Sequence, residues 1–135
     1  MNRREARQAA LQVLFQMTVS GTDKQTAVDA VSDNGTVPDS FAQMLVQRTL
    51  DNRQRIDQTI SGSLKNWKIG RIGNIDRAIL RLAVCEMLYF KDIPNSVSIN
   101  EAVELCKIYS DDQSRIFVNG VLSGIAAEHG QQGVK

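Results

Sequence analysis

The stretch from Asn74 to Phe90 constrains the fold of this chain more than any other. Ile75, Ile79, Leu80, Leu82, Ala83, Val84, Met87 and Leu88 recur at helical spacing, yet they spread around most of the helix circumference. A surface helix keeps its apolar residues on one stripe, so a helix apolar nearly all round must run through the middle of its domain. Other helices must then cover it. No alternating run of Val, Ile and Thr suggests a sheet. The expected fold is all-α, with about six helices in two small bundles that share the buried one.

The covering helices are legible in turn. A first helix is expected from about Arg3 to Val19, with Ala6, Ala10, Val13, Leu14 and Met17 on one stripe and Leu11 and Phe15 beside it. Ser20-Gly21 ends it. Thr22 with Gln25 reads as a capping box for a short second helix carrying Ala27, Val28 and Val31, which stops at Asn34-Gly35. Pro38 suits the first turn of a long, bent third helix that carries Phe41, Leu45, Ile56, Ile60 and Leu64 and reaches about Ser61 or Leu64. Asn66 to Asn74, with Trp67, Gly70 and Gly73, reads as an irregular connector. It separates an N-terminal subdomain of about 1–65 from a C-terminal one of about 74–129 within a single domain, 1–135. Beyond the breaker Asp92-Ile93-Pro94-Asn95, Ser98 and Glu101 read as a second capping box, with Val97 placed to staple against Ala102. That helix carries Ile99, Ala102, Val103, Cys106 and Tyr109. A last helix carries Phe117, Val121, Leu122 and Ile125, and its Gly120 and Gly124 suit close helix contact. The tail from Gly130 reads as frayed.

Apolar content of 42% with 23% charged residues is that of a globular chain, not a disordered one. The net charge of +1 conceals an uneven distribution: residues 51–82 hold seven Lys or Arg against three Asp. A chain that is neutral overall but locally basic can still offer a phosphate-binding face. Cys85 and Cys106 fall on apolar helix faces and form no C-x-x-C pair, so they read as core residues in a reducing compartment. With no signal-peptide pattern and no segment of about 20 apolar residues, a cytoplasmic protein is expected.

Catalytic chemistry has no footing. The single histidine, His129, sits at the expected frayed end, where nothing would hold its ring in one orientation. No zinc-ligand spacing, P-loop or dinucleotide fingerprint occurs, so neither an enzyme nor a metal or other cofactor is expected. Asp111-Asp112 suits a helix N-terminus rather than a metal.

Binding chemistry has more. Arg3, Arg4 and Arg7 fall on adjacent turns and would present one basic edge; they are either solubilising charge or phosphate ligands. Cations at a helix N-terminus oppose its dipole, which an anionic ligand would offset. Arg81, on the buried helix, calls for an acidic partner such as Glu86, Glu101 or Glu104, while Asp76 sits where it can cap. Asn100 and Asn119, in apolar helices, read first as structural amides, with a nucleotide contact open to Asn119. Tyr109 and Phe117 flank the acidic turn, and each reads as core or as a stacking platform for an unpaired base.

Four strings together resemble the NusB family of transcription antitermination factors: RREARQAALQVLFQM, NWKIGRIGNIDRAILRLAVCEMLY, IPNSVSINEAVELCKIY and FVNGVLSGIA. They occur in the family's order along almost the full chain. The resemblance implies two three-helix bundles and a non-enzymatic adaptor. Such an adaptor pairs with NusE, a small-subunit ribosomal protein, binds boxA-type single-stranded RNA, and joins the RNA polymerase antitermination complex on ribosomal RNA operons. It implies RNA contacts for Arg3, Arg4, Arg7, Phe15, Gln113, Phe117 and Asn119, and a NusE-facing role for Asp76 and Tyr109. Phe15 stands where some relatives have Tyr, and Gln113 where some have an acidic residue. Ser98 replaces a common Ala, and Ser110 replaces the Gly expected after the aromatic Tyr109. The same fold occurs as the N-terminal domain of an rRNA cytosine methyltransferase. The sequence stops soon after FVNGVL, so the free-standing factor is expected. The rival from another class is a helical protein-binding scaffold or homodimer without RNA contact.

Overall fold

A computed structural model describes residues 1–65 and 68–129. Trp67 of the expected connector and the tail from Gly130 lie outside the described residues. Among those described, the helices are α1 (Arg3–Ser20), α2 (Lys24–Asp33), α3 (Ser40–Asp51), α4 (Arg53–Gly62), α5 (Asn74–Tyr89), α6 (Asn95–Tyr109) and α7 (Asp112–His129). A single 3-10 turn, Ile69–Arg71, precedes α5.

The all-round apolar segment is α5, and ten of its residues, from Ala78 through Leu88, are buried. It packs against α1, α3 and α4 on one side and against α6 and α7 on the other. Helices α1, α2 and α3 close the first bundle and α5, α6 and α7 the second, with α4 lying along α5 and reaching α7. Burial on both sides explains why α5 is apolar over most of its circumference, with Asn74, Arg77 and Arg81 on one narrow polar strip. Among the described residues no helix is long and apolar enough to cross a membrane.

Helix α1 begins where Asn2 and Glu5 cap reciprocally. Asn2 Oδ1 accepts the Glu5 N–H at 2.8 Å, and Glu5 Oε1 accepts the Asn2 N–H at 2.9 Å. It ends at Gly21, whose φ of 65° is left-handed and suits glycine.

Several boundaries differ from expectation for local reasons. The cap of α2 is Asp23, not Thr22: its carboxylate accepts the Thr26 N–H at 2.8 Å, while Thr22 Oγ1 is buried without a partner. Pro38 precedes α3 instead of opening it, because Asp39 takes the cap and accepts the Ala42 N–H at 2.9 Å. The long third helix is two, divided at Asn52, whose Nδ2 donates to the Arg48 carbonyl at 2.9 Å. An asparagine that satisfies a backbone carbonyl with its own side chain competes with the helical bond. Helix α6 starts at Asn95, three residues before the capping box expected at Ser98, with Pro94 supplying the extended entry. Ser98 is therefore interior and buried, and Val97 lies on the outer face. Gly120 and Gly124 are exposed on α7, and a Cβ at either would meet nothing within 4 Å, so they mediate no close helix contact.

Cys85 and Cys106 are both buried and unpaired. Burial pushes the Cys85 thiol up to about 11 and the Cys106 thiol up to about 12, so neither is nucleophilic near neutral pH.

Candidate nucleic-acid interface

The arginines of α1 do not form one edge. Arg7 is only 5% exposed, and its guanidinium grips the buried Glu86 of α5 with Nε–Oε2 at 2.6 Å and Nη2–Oε1 at 3.0 Å. Ser98 Oγ donates to the same Glu86 Oε1 at 2.9 Å. The three side chains tie α1, α5 and α6 at the centre of the molecule. This removes Arg7 from the exposed basic edge that its sequence position suggests. Ser98 is the third member of the network.

Arg4 and Arg3 remain at the surface. Arg4 makes a forked contact with Glu101 at 3.1 and 2.9 Å, yet its side chain stays 55% exposed. That contact holds the Glu101 carboxyl below its ordinary range. Arg3 lies over the Phe41 ring at 3.8 Å. A guanidinium stacked this way keeps its N–H donors for an external anion.

Glu86, Glu101 and Glu104 are thus occupied by Arg7, Arg4 and Lys107, and none pairs with Arg81. Arg81 instead makes a forked pair with Asp57 of α4 at 2.8 and 3.0 Å. That partner becomes available only because the break at Asn52 lets α4 lie along α5.

The second group converges at the junction of the 3-10 turn, α5 and α7. Arg71, Ile72, Gly73, Asp76, Gln113, Ser114 and Phe117 surround a cavity of about 280 Å³. Asp76 does not cap α5. Its two oxygens accept the hydroxyls of Ser110 at 2.7 Å and Ser114 at 2.5 Å, which fastens the α6–α7 turn to α5. Ser110 is thereby explained: its φ of −136° is negative and needs no glycine, and its hydroxyl is an anchor. Asp111 accepts the Ser114 N–H at 2.7 Å, and this bond holds its carboxyl below the ordinary range. The acidic turn is therefore a helix cap, as its position implies.

The structure brings Asp76, Gln113 and Phe117 together but places the other candidates elsewhere. Tyr109 is half-buried, and its hydroxyl accepts from Gln12 Nε2 at 2.9 Å, joining α6 to α1. Phe15 is half-exposed on α1. Asn119 and Asn100 are both exposed on their helices, and Asn119 stays open to a nucleotide contact. Arg71 was not among the sequence candidates, although a cation next to the glycine that opens α5 is a detectable signal. Gln113 is exposed at the rim, whereas Phe117 is half-buried, with part of its ring packed against the core. Among the described residues, no group of three or more His, Cys, Asp or Glu side chains is arranged to hold a metal ion.

The sequence pattern of the NusB family matches residues 4–127. A transcription antitermination protein NusB from Bacillus velezensis is 50% identical over 128 residues, covering 95% of this chain and 98% of that one. Another, from Bacillus pumilus, is 50% identical over 132 residues, covering 98% and 100%. Among solved structures, T. maritima NusB superimposes with a TM-score of 0.85 at 35% identity, over 95% of this chain and 92% of that one. The antitermination factor NusB in a crystal structure with NusE and double-stranded RNA superimposes with a TM-score of 0.84 at 29% identity, over 93% and 96%. The central helix, the two bundles and the four sequence strings thus have their counterpart in one family, and this chain belongs to the NusB family.

Proposed function

We propose that this chain is a non-enzymatic, cytoplasmic, RNA-binding antitermination factor. It binds boxA-type single-stranded RNA together with NusE and joins the RNA polymerase antitermination complex on ribosomal RNA operons. The observation that carries this reading is the cavity where the aromatic Phe117 stands beside Arg71 and Gln113. An aromatic face, a cation and a neutral amide around one opening suit an unstacked base and its phosphate. The names of the relatives, and the NusB, NusE and RNA complex among its structural neighbours, support the same role.

Within this reading Arg3 and Arg4 contact phosphate, and Arg7 positions the helix that carries them. The half-exposed Phe15 and the exposed Asn119 offer further contacts. Asp76 and Tyr109, each engaged in hydrogen bonds within the fold, shape the NusE-facing turn. The bundles are subdomains of about 1–65 and 74–129 in one domain.

The test is a titration with boxA-type RNA in the presence of NusE at several salt concentrations. An Arg3→Ala, Arg4→Ala double variant keeps its fold and loses affinity. Its log–log salt slope flattens by about 1.4, since each single-strand phosphate contact contributes about 0.7. An unchanged slope would remove these residues from the interface. A Gln113→Asp variant places a negative charge at the rim of the cavity and binds the same RNA more weakly at matched salt. Equal affinities would contradict the placement of Gln113 at the phosphate path.

A further inference from the structure

A second cavity, of about 260 Å³, opens between the end of α1, α3 and α5. Its floor is apolar, with Leu14, Met17 and Leu50, and Arg53 and Arg81 stand in its wall. Thr22 also lines it, with its Oγ1 buried away from the opening.

The charge around it is unbalanced. Arg81 and Arg53 both approach one carboxylate, Asp57, at 2.8 and 3.7 Å. Arg77, one turn before Arg81 on α5, pairs with no carboxylate. It donates to Asn74 Oδ1 at 2.7 Å and to the Ile72 carbonyl at 3.2 Å. Its guanidinium is easier to deprotonate than usual, through burial first and then the nearby Arg81 and Arg53. Arg71, Arg77, Arg81 and Arg53 therefore form a cationic track from the first cavity to the second. Gly73 in one wall and Arg81 in the other are eight residues apart, about 12 Å along the helix axis.

We propose that the second cavity is an RNA subsite that takes one unstacked nucleotide, its base on the apolar floor and its phosphate on Arg53. The strand reaches it from the Phe117 cavity along Arg77. A lone apolar ligand would not need the guanidiniums, and a lone inorganic anion would leave the apolar floor unused; a nucleotide answers both. The subsite rests on the RNA-binding reading above.

The experiment compares a core boxA-type RNA with the same RNA extended by a few nucleotides at either end, each bound to this chain in the presence of NusE. Arg53 is 60% exposed in its side chain, and Asp57 keeps Arg81, so Arg53→Ala should fold normally. One extended RNA should bind the unmodified chain more tightly than the core, with a salt slope steeper by about 0.7. Arg53→Ala should abolish that increment, weakening the extended RNA about tenfold while leaving the core RNA unchanged. Equal effects of Arg53→Ala on both RNAs, or none on either, would overturn the subsite. Failure of the unmodified chain, with NusE present, to bind even the core RNA would overturn the RNA-binding reading itself.

Discussion

Glu86→Ala is expected to lower the unfolding free energy by about 3–5 kcal/mol, the usual cost of leaving one charge of a buried pair without its partner. Glu86 is 1% exposed and accepts from Arg7 and Ser98 at once. Without it, the Arg7 guanidinium keeps only a distant carboxylate, Glu101 at 3.9 Å. For a domain of this size such a loss corresponds to a fall in Tm of roughly 10–20 °C. Arg7→Ala should cost a similar amount, for the mirror-image reason. The double variant Arg7→Met, Glu86→Leu replaces the pair with apolar volume and should recover most of the loss, because desolvating both ions offsets much of their attraction. Thermal melts of the four proteins check this. A melt of Glu86→Ala within a degree or two of the parent would show that the pair does not hold α1 to α5. The result bears on function: weaker RNA binding after substitution of Arg7 would reflect the loss of helix position, not of a phosphate contact.

Phe117→Ala is expected to weaken boxA-type RNA binding by about 1–3 kcal/mol, the range for removal of one base-stacking aromatic. Phe117 is half-buried and packs partly against the core, so truncation also costs some stability. Phe117→Leu separates the two effects, since it keeps apolar volume and removes the flat ring. The stacking role predicts that both variants lose affinity while Phe117→Leu retains the parent Tm. If Phe117→Leu binds as tightly as the parent, the ring serves the core only.

Much of the fold is legible from periodicity because α5 is apolar around most of its circumference, and that fact alone demands helices on both sides. Boundaries were harder where two residues compete for one role. Thr22 and Asp23 both suit a cap, and the carboxylate wins because it reaches the Thr26 N–H. Asn52 divides a continuous apolar pattern, since one side chain bonded to the Arg48 carbonyl leaves no trace in the periodicity. Charge pairing was the least legible. The Arg7–Glu86 contact joins residues 79 apart in sequence, and only the packing of α1 on α5 brings them together. The same packing divides the arginine cluster into one buried and two surface residues. Asp76, Gln113 and Phe117 converge because two serine hydroxyls fasten the α6–α7 turn to α5. Arg71 joins them through the 3-10 turn, an element with no apolar stripe to announce it.

The central claim is that a boxA-type RNA is bound by this chain together with NusE, through phosphates and an unstacked base. The most direct measurement is the affinity of the purified chain for boxA-type RNA with and without purified NusE, at two salt concentrations. The account predicts tight binding that requires NusE and falls as salt rises, because released counterions accompany each phosphate contact. Affinity indifferent to both NusE and salt would contradict it and favour a helical protein-binding scaffold.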